Sequence, residues 1–407
     1  MRSLDEQLGR VLDAAVRPAP VRVAISEAQG MLCAEEIVAQ RALPGFDQAA
    51  IDGYAVRSVD VTEVPVTLPV VGEIAAGSLQ PMRLQPGQAV RVATGSALPA
   101  LADAVVPLGH AEHAAEHAAR VTVTQTVPSR AYVRRTGDDV QTGDVAVRPG
   151  AVIGSAQVGL LAAVGRAKVR VHPRPRLSVL SVGDELVDVD RTPGTGQLYD
   201  VNSYALAAAA RDAGAEVHRV GIAPSDPSRL RDAVEGRLLV SEIVVVTGAA
   251  GGSMGDELCT ALAELGPLDV GRVAMHPGSV QGFGRLGPDS VPTFLLSSNP
   301  ISALVVFEVL VRPLIRLALG KRNPYRRTIT ARLLSPVTSV AGRCGFLRGQ
   351  LLRDPDTGEY LVQPLGISGA HLLTSLAEAN CLILVDADTT EVPVGEEVAV
   401  SFLAQRA

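Results

Sequence analysis

Carboxylates and glycines follow two apolar runs of this sequence. One run, at residues 177–182, ends in Gly183-Asp184-Glu185, and the other, at 242–247, leads into a glycine-rich stretch at 248–255 that is followed by Asp256. Glycines in such a turn allow backbone N–H groups to approach a phosphate, and carboxylates beside a phosphate are typical Mg²⁺ ligands. The alternatives are a tight turn for the glycines and helix capping for the acids. The stretch lacks the Gly-Lys-Ser/Thr sequence of a P-loop.

Histidines form two further candidate sites. His276 follows a third apolar run, at residues 270–274, which contains Arg272. Together these two side chains could hold an oxyanion at the same edge, although a lone histidine is more often structural. His110, His113 and His117 would share one face of a helix, which would suit a divalent metal. The alternative for these three histidines is a solvated turn in a variable loop, and we see no fourth ligand beside them.

Helices and strands alternate around the first of these sites. Helix-like segments at residues 202–213 and 226–238 separate the β-branched runs, and this order predicts an open α/β sheet. In such sheets ligands bind at the carboxyl ends of the strands, so the acidic and glycine-rich loops are expected to share one edge. Asn299, Pro300 and Gly320 match the cap, first position and stop of one more helix.

The rest of the chain is predicted to be helical at its start and β elsewhere. Residues 1–40 are interpreted as two helices, the first capped by Ser3 and the second at 26–39. Short apolar runs separated by turn signals predict strands between residues 66 and 135, and again after residue 327. The predicted domains are a discontinuous helical domain (1–42 and 146–173), an inserted β domain (43–145), an α/β domain (174–322) and a C-terminal β domain (323–407).

Composition excludes several functional classes. The 407 residues are enough for two to four domains, and the net charge of −6 argues against a nucleic-acid binder driven by bulk electrostatics. No apolar run reaches the roughly 18 residues that span a bilayer. The 4 cysteines are scattered without CxxC spacing, which predicts neither a zinc site nor a disulfide framework. With no signal-peptide pattern, we expect a cytoplasmic protein.

An ordered set of short motifs runs through nearly the whole chain. They are Pro44-Gly-Phe-Asp47-Gln-Ala-Ala-Ile-Asp52-Gly-Tyr-Ala-Val56, Arg91-Val-Ala-Thr94-Gly95, Arg134-Arg-Thr-Gly137-Asp138-Asp139, Ser181-Val-Gly183-Asp184-Glu185-Leu186, Tyr199-Asp200-Val-Asn202, Asn299-Pro300-Ile-Ser302, Gly366-Ile-Ser-Gly369 and Ala379-Asn380. In this order they resemble the signature of the MoeA/gephyrin E-domain family. No single motif is decisive, but the ordered set is highly specific.

The resemblance implies both an architecture and an activity. The implied fold is multidomain α/β plus all-β, in an elongated homodimer: a split helical domain, an inserted β domain, a MogA-like open α/β domain that binds molybdopterin, and a C-terminal β-barrel. The implied activity is that of a molybdopterin molybdenumtransferase. Such an enzyme takes adenylated molybdopterin and molybdate, releases AMP, leaves molybdenum on the dithiolene and is supported by Mg²⁺. The resemblance also places the working cleft between the inserted domain and the α/β domain.

Motif matches assign the expected site residues. The catalytic positions implied by the resemblance are Asp52, Thr94, Asp139, Glu185 and Asp256. The implied substrate-binding positions are Gly248, Gly251, Gly252, Ser253, Arg272, His276, Pro277, Gly278, Ser279, Asn299 and Pro300. Glu185 and Asp256 are the expected Mg²⁺ ligands.

Departures from the family pattern leave a second function open. His276 and Ser279 stand where the family has lysines, Arg272 replaces another lysine, and Ser225 replaces an aspartate. The loss of two cations predicts anion binding that is weaker by roughly 10²–10⁴-fold, and therefore impaired molybdenum insertion. The alternative is a gephyrin-like dimeric scaffold that binds a short peptide of a membrane receptor or of an FtsZ-like cell-division protein.

Overall fold

The computed structural model describes residues 1–78, 82–112, 119–251, 255–366 and 373–403. The chain forms two compact units. We call Met1–Pro20 together with His172–Ala407 the core unit, and Val21–Val171 the insertion unit. The chain therefore leaves the core unit after its first helix and returns to it at His172.

Helix α1 (Leu4–Leu12) opens the core unit. Ser3 caps it as predicted, because its Oγ accepts a hydrogen bond of 3.2 Å from the backbone N–H three residues further on. Arg10 and Arg2 both donate to the carboxylate of Asp269, and these two bonds lower the pKa of Asp269. The helix is thus anchored to a residue 259 positions beyond Arg10.

The insertion unit consists mainly of short strands. Its elements are β1 (Val21–Ala24), β2 (Leu32–Cys33), β3 (Ile37–Val38), β4 (Gln48–Ala49), β5 (Gly53–Val56), β6 (Val66–Ile74), β7 (Ala89–Val92), β8 (Ala104–Pro107), β9 (Ala111–Glu112), β10 (Arg120–Val123), β11 (Val133–Arg134), β12 (Val145–Val147), α2 (Ser155–Ala163) and β13 (Lys168–His172). A six-stranded sheet has the order β8-β5-β7-β6-β10-β9, and a three-stranded sheet has the order β1-β13-β2. The strands predicted between residues 66 and 135 are present.

The helix predicted at residues 26–39 is wrong. This segment contains β2 and β3 instead, and its backbone hydrogen bonds go to distant parts of the chain. The N–H of Cys33 donates to the carbonyl of Ala151 and that of Ala34 to the carbonyl of Arg170, each at 2.8 Å. Pairing with strand partners remote in sequence overrides the local helical pattern here.

An open sheet and a closed barrel make up most of the core unit. Its further elements are β14 (Arg176–Val182), β15 (Leu186–Val187), β16 (Leu198–Tyr199), α3 (Asn202–Ala213), β17 (Glu216–Ala223), α4 (Pro227–Leu238), β18 (Ile243–Thr247), α5 (Gly255–Ala263), β19 (Leu268–Arg272), β20 (Met275–His276), β21 (Val280–Leu286), β22 (Val291–Leu296), α6 (Pro300–Val306), α7 (Arg312–Ala318), β23 (Thr328–Leu333), β24 (Val337–Thr338), β25 (Cys344–Arg353), β26 (Tyr360–Pro364), α8 (Leu373–Glu378), β27 (Cys381–Val385), β28 (Glu391–Val392) and β29 (Glu397–Phe402).

The open sheet has the order β17-β14-β18-β22-β21-β19. Strands β17, β14, β18 and β22 are parallel, whereas β21 is antiparallel to both of its neighbours. The chain passes from β14 to β17 on one side of β14 and then returns to β18 on the other side. Helix α3 packs in one hydrophobic cluster, and helices α4 and α5 pack in the other. The carboxyl ends of β14 and β18 therefore form a topological switch point, where ligands bind in open α/β sheets.

The predicted helix after Asn299 is present but is not regular throughout. Asn299 accepts a hydrogen bond of 3.0 Å from the N–H of Ser302, and Pro300 is the first residue of α6, as predicted. Between α6 and α7 the helix winds as a π-helix over Phe307–Val311. Pro313 follows directly in α7 and has no N–H to donate, which explains the local change in winding. Within the described ranges no helix is long and apolar enough to cross a membrane.

A closed barrel completes the core unit. Strand β25 pairs with β26 and with β27, and these two connect through β23 and β29, so the ring closes. Strand β20, which belongs to the α/β part of the chain, pairs in parallel with the start of β25. The predicted combination of an open α/β sheet and a C-terminal β-barrel is confirmed.

Candidate functional site

A cleft of about 480 Å³ opens at the switch point of the sheet. The lining residues come from the ends of β14 and β18, from β15 and β16, and from the starts of α3 and α6. They are Ser181, Val182, Glu185, Leu186, Leu198, Tyr199, Asp200, Val201, Asn202, Thr247, Gly248, Ser298, Asn299 and Pro300. Four residues expected from the sequence, Glu185, Gly248, Asn299 and Pro300, are thus brought together.

Asn202 ties two walls of this cleft together. Its side-chain amide donates to Oγ1 of Thr247 and to the carbonyl oxygen of Ser298, each at 2.8 Å. Thr247 in turn donates to the carbonyl oxygen of Ser297 at 2.8 Å. The start of α3 is therefore hydrogen-bonded both to the end of β18 and to the turn that leads into α6.

Asp200 is a buried carboxylate beneath the same cleft. Its Oδ1 accepts hydrogen bonds from Oγ of Ser181 at 2.7 Å and from the N–H of Ser203 at 3.0 Å, and its Oδ2 accepts one from Oγ of Ser203. Arg219 lies 3.9 Å from the carboxylate, whose side chain is fully buried. Asp200 and Asn202 belong to a motif that was noted in the sequence, but neither was expected to have a role. The motif was the signal, and the contacts that define their roles lie in remote segments.

Gly248 sits in a backbone conformation that other residues adopt only with strain. Its φ is 90°, and a Cβ there would lie 2.1 Å from the carbonyl oxygen of Val182. The expected backbone donor to a phosphate is not available at this residue, because its N–H already donates to the carbonyl of Leu296 at 2.9 Å. Gly248 instead allows β14 and β18 to end in close contact. Gly252 and Ser253 lie outside the described residues.

The candidate carboxylates differ in their surroundings. Glu185 is exposed at the cleft, and within the described parts of the chain its carboxylate has no hydrogen bond or ion pair. Asp184 accepts a hydrogen bond from Oγ of Ser225. Asp256 is exposed in the first turn of α5. Asp226, a different acid, caps helix α4. Its carboxylate accepts a hydrogen bond from the N–H of the third residue of α4, and this bond lowers the pKa of Asp226.

Arg272 stands at the same edge of the sheet as the cleft but three strands away from β18. It ends β19, which runs in the same direction as β22 because both are antiparallel to β21. A Cβ on Gly251 would lie 3.5 Å from Cγ1 of Val280, and Val280 pairs with Arg272. The glycine turn therefore extends from the cleft towards the strand that carries Arg272.

A second cavity, of about 260 Å³, contains His276. Pro277 and Ile301 line it together with Phe346 and Arg348 of the barrel. Loss of solvent, followed by the nearby charge of Arg343, lowers the pKa of His276. Burial also lowers the pKa of Arg348, a residue that is 9% exposed.

Gly278 and Ser279, which were also predicted to bind substrate, lie in a turn. The carbonyl of Gly278 accepts a hydrogen bond of 3.0 Å from Gln281, and that of Ser279 accepts one of 2.8 Å from the N–H of Val273. Pro300 lines the cleft, whereas the next residue, Ile301, lines the second cavity. One turn of α6 therefore borders both spaces.

The insertion unit holds Asp52, Thr94 and Asp139. The carboxylate of Asp52 accepts hydrogen bonds of 2.7 Å from the N–H and from Oγ1 of Thr94, and the first of these is the main cause of its lowered pKa. Asp139 is exposed, and its N–H donates to the carbonyl of Leu43 at 3.0 Å. Residues 43 to 52 thus connect the loop of Asp139 with the loop of Thr94.

His110, the first of the three histidines, does not lie in an α-helix. His110 ends a short 3₁₀ turn, and the chain then continues as strand β9. The helix on which the metal alternative depended therefore does not include His110, while His113 and His117 fall outside the described residues. Across the described ranges, no three His, Cys, Asp or Glu side chains are grouped so that they could hold a metal ion.

Known protein families match the chain along most of its length. The MoeA N-terminal region (domain I and II) matches residues 2–165, a probable molybdopterin binding domain matches residues 178–317, and the MoeA C-terminal region (domain IV) matches residues 330–403. The second match contains the switch-point cleft.

Individual relatives are similar over the full chain. Molybdopterin molybdenumtransferase 1 of Mycobacterium tuberculosis is 61% identical, with 100% of both chains covered. Molybdopterin molybdenumtransferase 2 of the same organism is 35% identical, covering 98% of this chain and 99% of its own. The crystal structure of a molybdopterin biosynthesis MoeA protein from Pyrococcus horikosii is 32% identical, covers 99% of both chains and has a TM-score of 0.82.

Proposed function

This chain belongs to the MoeA family, and from that premise we propose that it is a molybdopterin molybdenumtransferase. It inserts molybdenum from molybdate into adenylated molybdopterin and releases AMP, a step of molybdenum cofactor biosynthesis. The observation that carries the proposal is the position of the 480 Å³ cleft, which lies at the switch point of the region matching a molybdopterin binding domain. The scaffold role that the sequence left open receives no support from these relatives.

The charge of the cleft argues for a bound cation during the reaction. Among the described residues that line it there is no lysine or arginine, and Glu185 adds a negative charge. A polyanionic substrate therefore needs positive charge from elsewhere. Mg²⁺ fits, because it typically takes one or two carboxylates and completes its shell with phosphate oxygens and water.

Glu185 and Asp256 are the proposed Mg²⁺ ligands. Glu185 fits this role because its exposed carboxylate has no protein partner in the described parts of the chain. When bound, the ion would supply positive charge to the phosphate oxygens of the substrate. The Gly248 turn gives the substrate close access to the ends of two strands.

We assign the oxyanion to the second cavity. A buried guanidinium, that of Arg348, and the imidazole of His276 border a space of about 260 Å³, which suits a small oxyanion such as molybdate. Since one turn of α6 borders both spaces, the two substrates would approach from either side of Pro300 and Ile301. Arg272 adds positive charge at the same edge of the sheet.

The family resemblance implies three further catalytic residues, all of which belong to the insertion unit. Asp52, Thr94 and Asp139 keep their proposed roles in substrate handling, and the lowered pKa of Asp52 keeps this carboxylate ionised at neutral pH. The homodimer implied by the family resemblance is part of the same proposal, and sedimentation of the purified protein measures it directly.

AMP release from adenylated molybdopterin, with molybdate and Mg²⁺ present, tests the activity. Asp256→Asn should lower this rate by about 100-fold or more, because one proposed Mg²⁺ ligand becomes neutral. Glu257→Gln is the matched control, since it removes a neighbouring exposed charge from the same turn of α5 and should leave the rate unchanged. An Asp256→Asn rate equal to that of the control would contradict the metal assignment. Absence of AMP release by the wild type would contradict the function.

A further inference from the structure

Asn202 uses both of its side-chain N–H groups to connect separate segments of the chain. One reaches Thr247, which is 45 positions away, and the other reaches Ser298, which is 96 positions away. The residue is 8% exposed, so solvent offers little competition for these bonds. An amide can donate twice in this way, whereas a carboxylate of the same shape only accepts.

The segments that Asn202 connects are walls of the cleft. Thr247 directly precedes Gly248, and Ser298 directly precedes Asn299 and Pro300, all of which line the space. Asn202 lies between them at the start of α3. The two hydrogen bonds therefore fix the distance between the glycine turn and the turn that leads into α6.

A second group of bonds holds the start of α3 in place. Asp200 accepts hydrogen bonds from Ser181 at the end of β14 and from Ser203 within α3. Asp200 and Ser203, which lie on either side of Asn202 in the sequence, are thus held in place, and they fix the backbone of Asn202. The network thus reaches the ends of β14 and β18 and the turn before α6.

We propose that Asn202 is a positioning residue that sets the width of the cleft and thereby the affinity for the pterin-bearing substrate. The inference rests on the proposed function, since it assigns the pterin-bearing substrate to this cleft. It concerns this substrate alone: the oxyanion cavity lies beyond α6 and contains none of the atoms that Asn202 bonds.

Steady-state kinetics of AMP release with three variants tests the proposal. Asn202→Asp keeps the shape but turns the donor into an acceptor facing the Ser298 carbonyl. It should raise the KM for adenylated molybdopterin by about 10- to 100-fold, with the KM for molybdate unchanged. Thr247→Val removes one acceptor and should raise the same KM less. Thr247→Ser keeps the hydroxyl, so its KM should rise by a smaller factor than that of Thr247→Val.

The pH dependence of Asn202→Asp gives a readout that loss of folded protein would not produce. Because position 202 is 8% exposed, burial should raise the pKa of the new carboxyl. Protonation turns it back into a single donor, so its KM should fall towards the wild-type value as the pH is lowered from 8 to 5. Asn202→Ala is the control, because its KM should stay raised by the same factor throughout. Equal pH profiles for Asn202→Asp and Asn202→Ala would overturn the proposal. So would an Asn202→Asp variant in which the KM for molybdate rises as much as the KM for adenylated molybdopterin.

Direct binding separates this inference from the proposed function. Calorimetric titration with molybdopterin should show the same order of affinities, with the wild type tightest and Thr247→Ser tighter than Thr247→Val. If the wild type releases no AMP but binds molybdopterin, the function fails and the binding series still decides the role of Asn202. If Asn202→Asp does not fold, an unchanged Kd for Thr247→Val overturns the proposal. Failure of the wild type to bind molybdopterin overturns both.

Discussion

One hydrogen-bond pattern occurs in two different environments of this molecule. In the core unit the carboxylate of Asp200 accepts from the N–H and the hydroxyl of Ser203. In the insertion unit Asp52 accepts from the same two groups of Thr94. The first carboxylate is fully buried and the second is exposed.

From this comparison we expect burial, more than bond geometry, to decide how much such a pattern contributes to the free energy of unfolding. A buried acceptor that loses its donors keeps the whole desolvation cost, whereas an exposed acceptor exchanges protein donors for water. The buried pattern at Asp200 lies at the cleft, and the exposed pattern at Asp52 uses Oδ1 for both hydrogen bonds and leaves Oδ2 open to solvent. The two carboxylates therefore have similar donors but differ in solvation.

The largest predicted effect concerns the glycines that follow a threonine in each unit. Gly248→Ala should destabilise the fold by more than about 4 kcal/mol, because its Cβ would meet the Val182 carbonyl oxygen. Gly95 also follows a threonine and has a φ of 79°, but a Cβ there meets nothing within 4 Å. Gly95→Ala should therefore cost only about 1–2 kcal/mol, through backbone strain alone. Urea unfolding measures both, and equal losses would contradict the close packing at Gly248.

The second-largest predicted effect is a difference in stability loss between variants of Asp200 and Asp52. Asp200→Asn should cost about 2–3 kcal/mol, because the amide cannot accept all the donors that converge on this buried position. Asp52→Asn should cost less, since solvent reaches its site. The free energies of unfolding of both variants at pH 7 give the answer, and an Asp52→Asn loss as large as that of Asp200→Asn would remove burial as the explanation.

A smaller effect is expected from His276. Burial lowers its folded-state pKa below the ordinary 6.5, so the unfolded chain binds a proton first as the pH falls. Stability should therefore decrease below about pH 6.5 until the folded-state pKa is passed, and His276→Gln should lack this decrease. Thermal unfolding between pH 5 and 8 measures it. A wild-type profile that matches His276→Gln would contradict the burial of this imidazole.

The smallest effect belongs to Asp52. The Thr94 N–H lowers its pKa below the ordinary 3.8, so its contribution to stability is present above that value and is lost as the pH falls through the lowered pKa. Asp52→Asn should make acid unfolding slightly less steep between pH 4 and 2. An identical acid transition for wild type and variant would show that solvent screens this interaction completely.

Local sequence signals predicted the helices of the open sheet well. The helix at residues 202–213 was predicted with its observed bounds, and the one at residues 226–238 begins one residue later because Asp226 is its cap. The shared edge of the acidic and glycine-rich loops followed from the alternation of helices and strands. Such features depend on residues close together in the chain, which a sequence displays directly.

Features that depend on contacts between residues far apart in the sequence could not be predicted from local sequence signals. Residues 26–39 form strands because their partners lie more than 100 positions away, at Ala151 and Arg170. The roles of Asp200 and Asn202 likewise depend on contacts with remote segments. The sequence also suggested that Gly248 offers its N–H to a ligand, and only the backbone geometry reveals that Leu296 already accepts it.

The discontinuous core unit has a consequence for the order of events during synthesis. Helix α1 is made first, but its ionic partner Asp269 follows 259 residues after Arg10. The insertion unit, by contrast, is contiguous and complete once Val171 has been added. Domains generally fold as units while the chain grows from its N-terminus. The growing chain can therefore complete the insertion unit before the segment that holds helix α1 has been made.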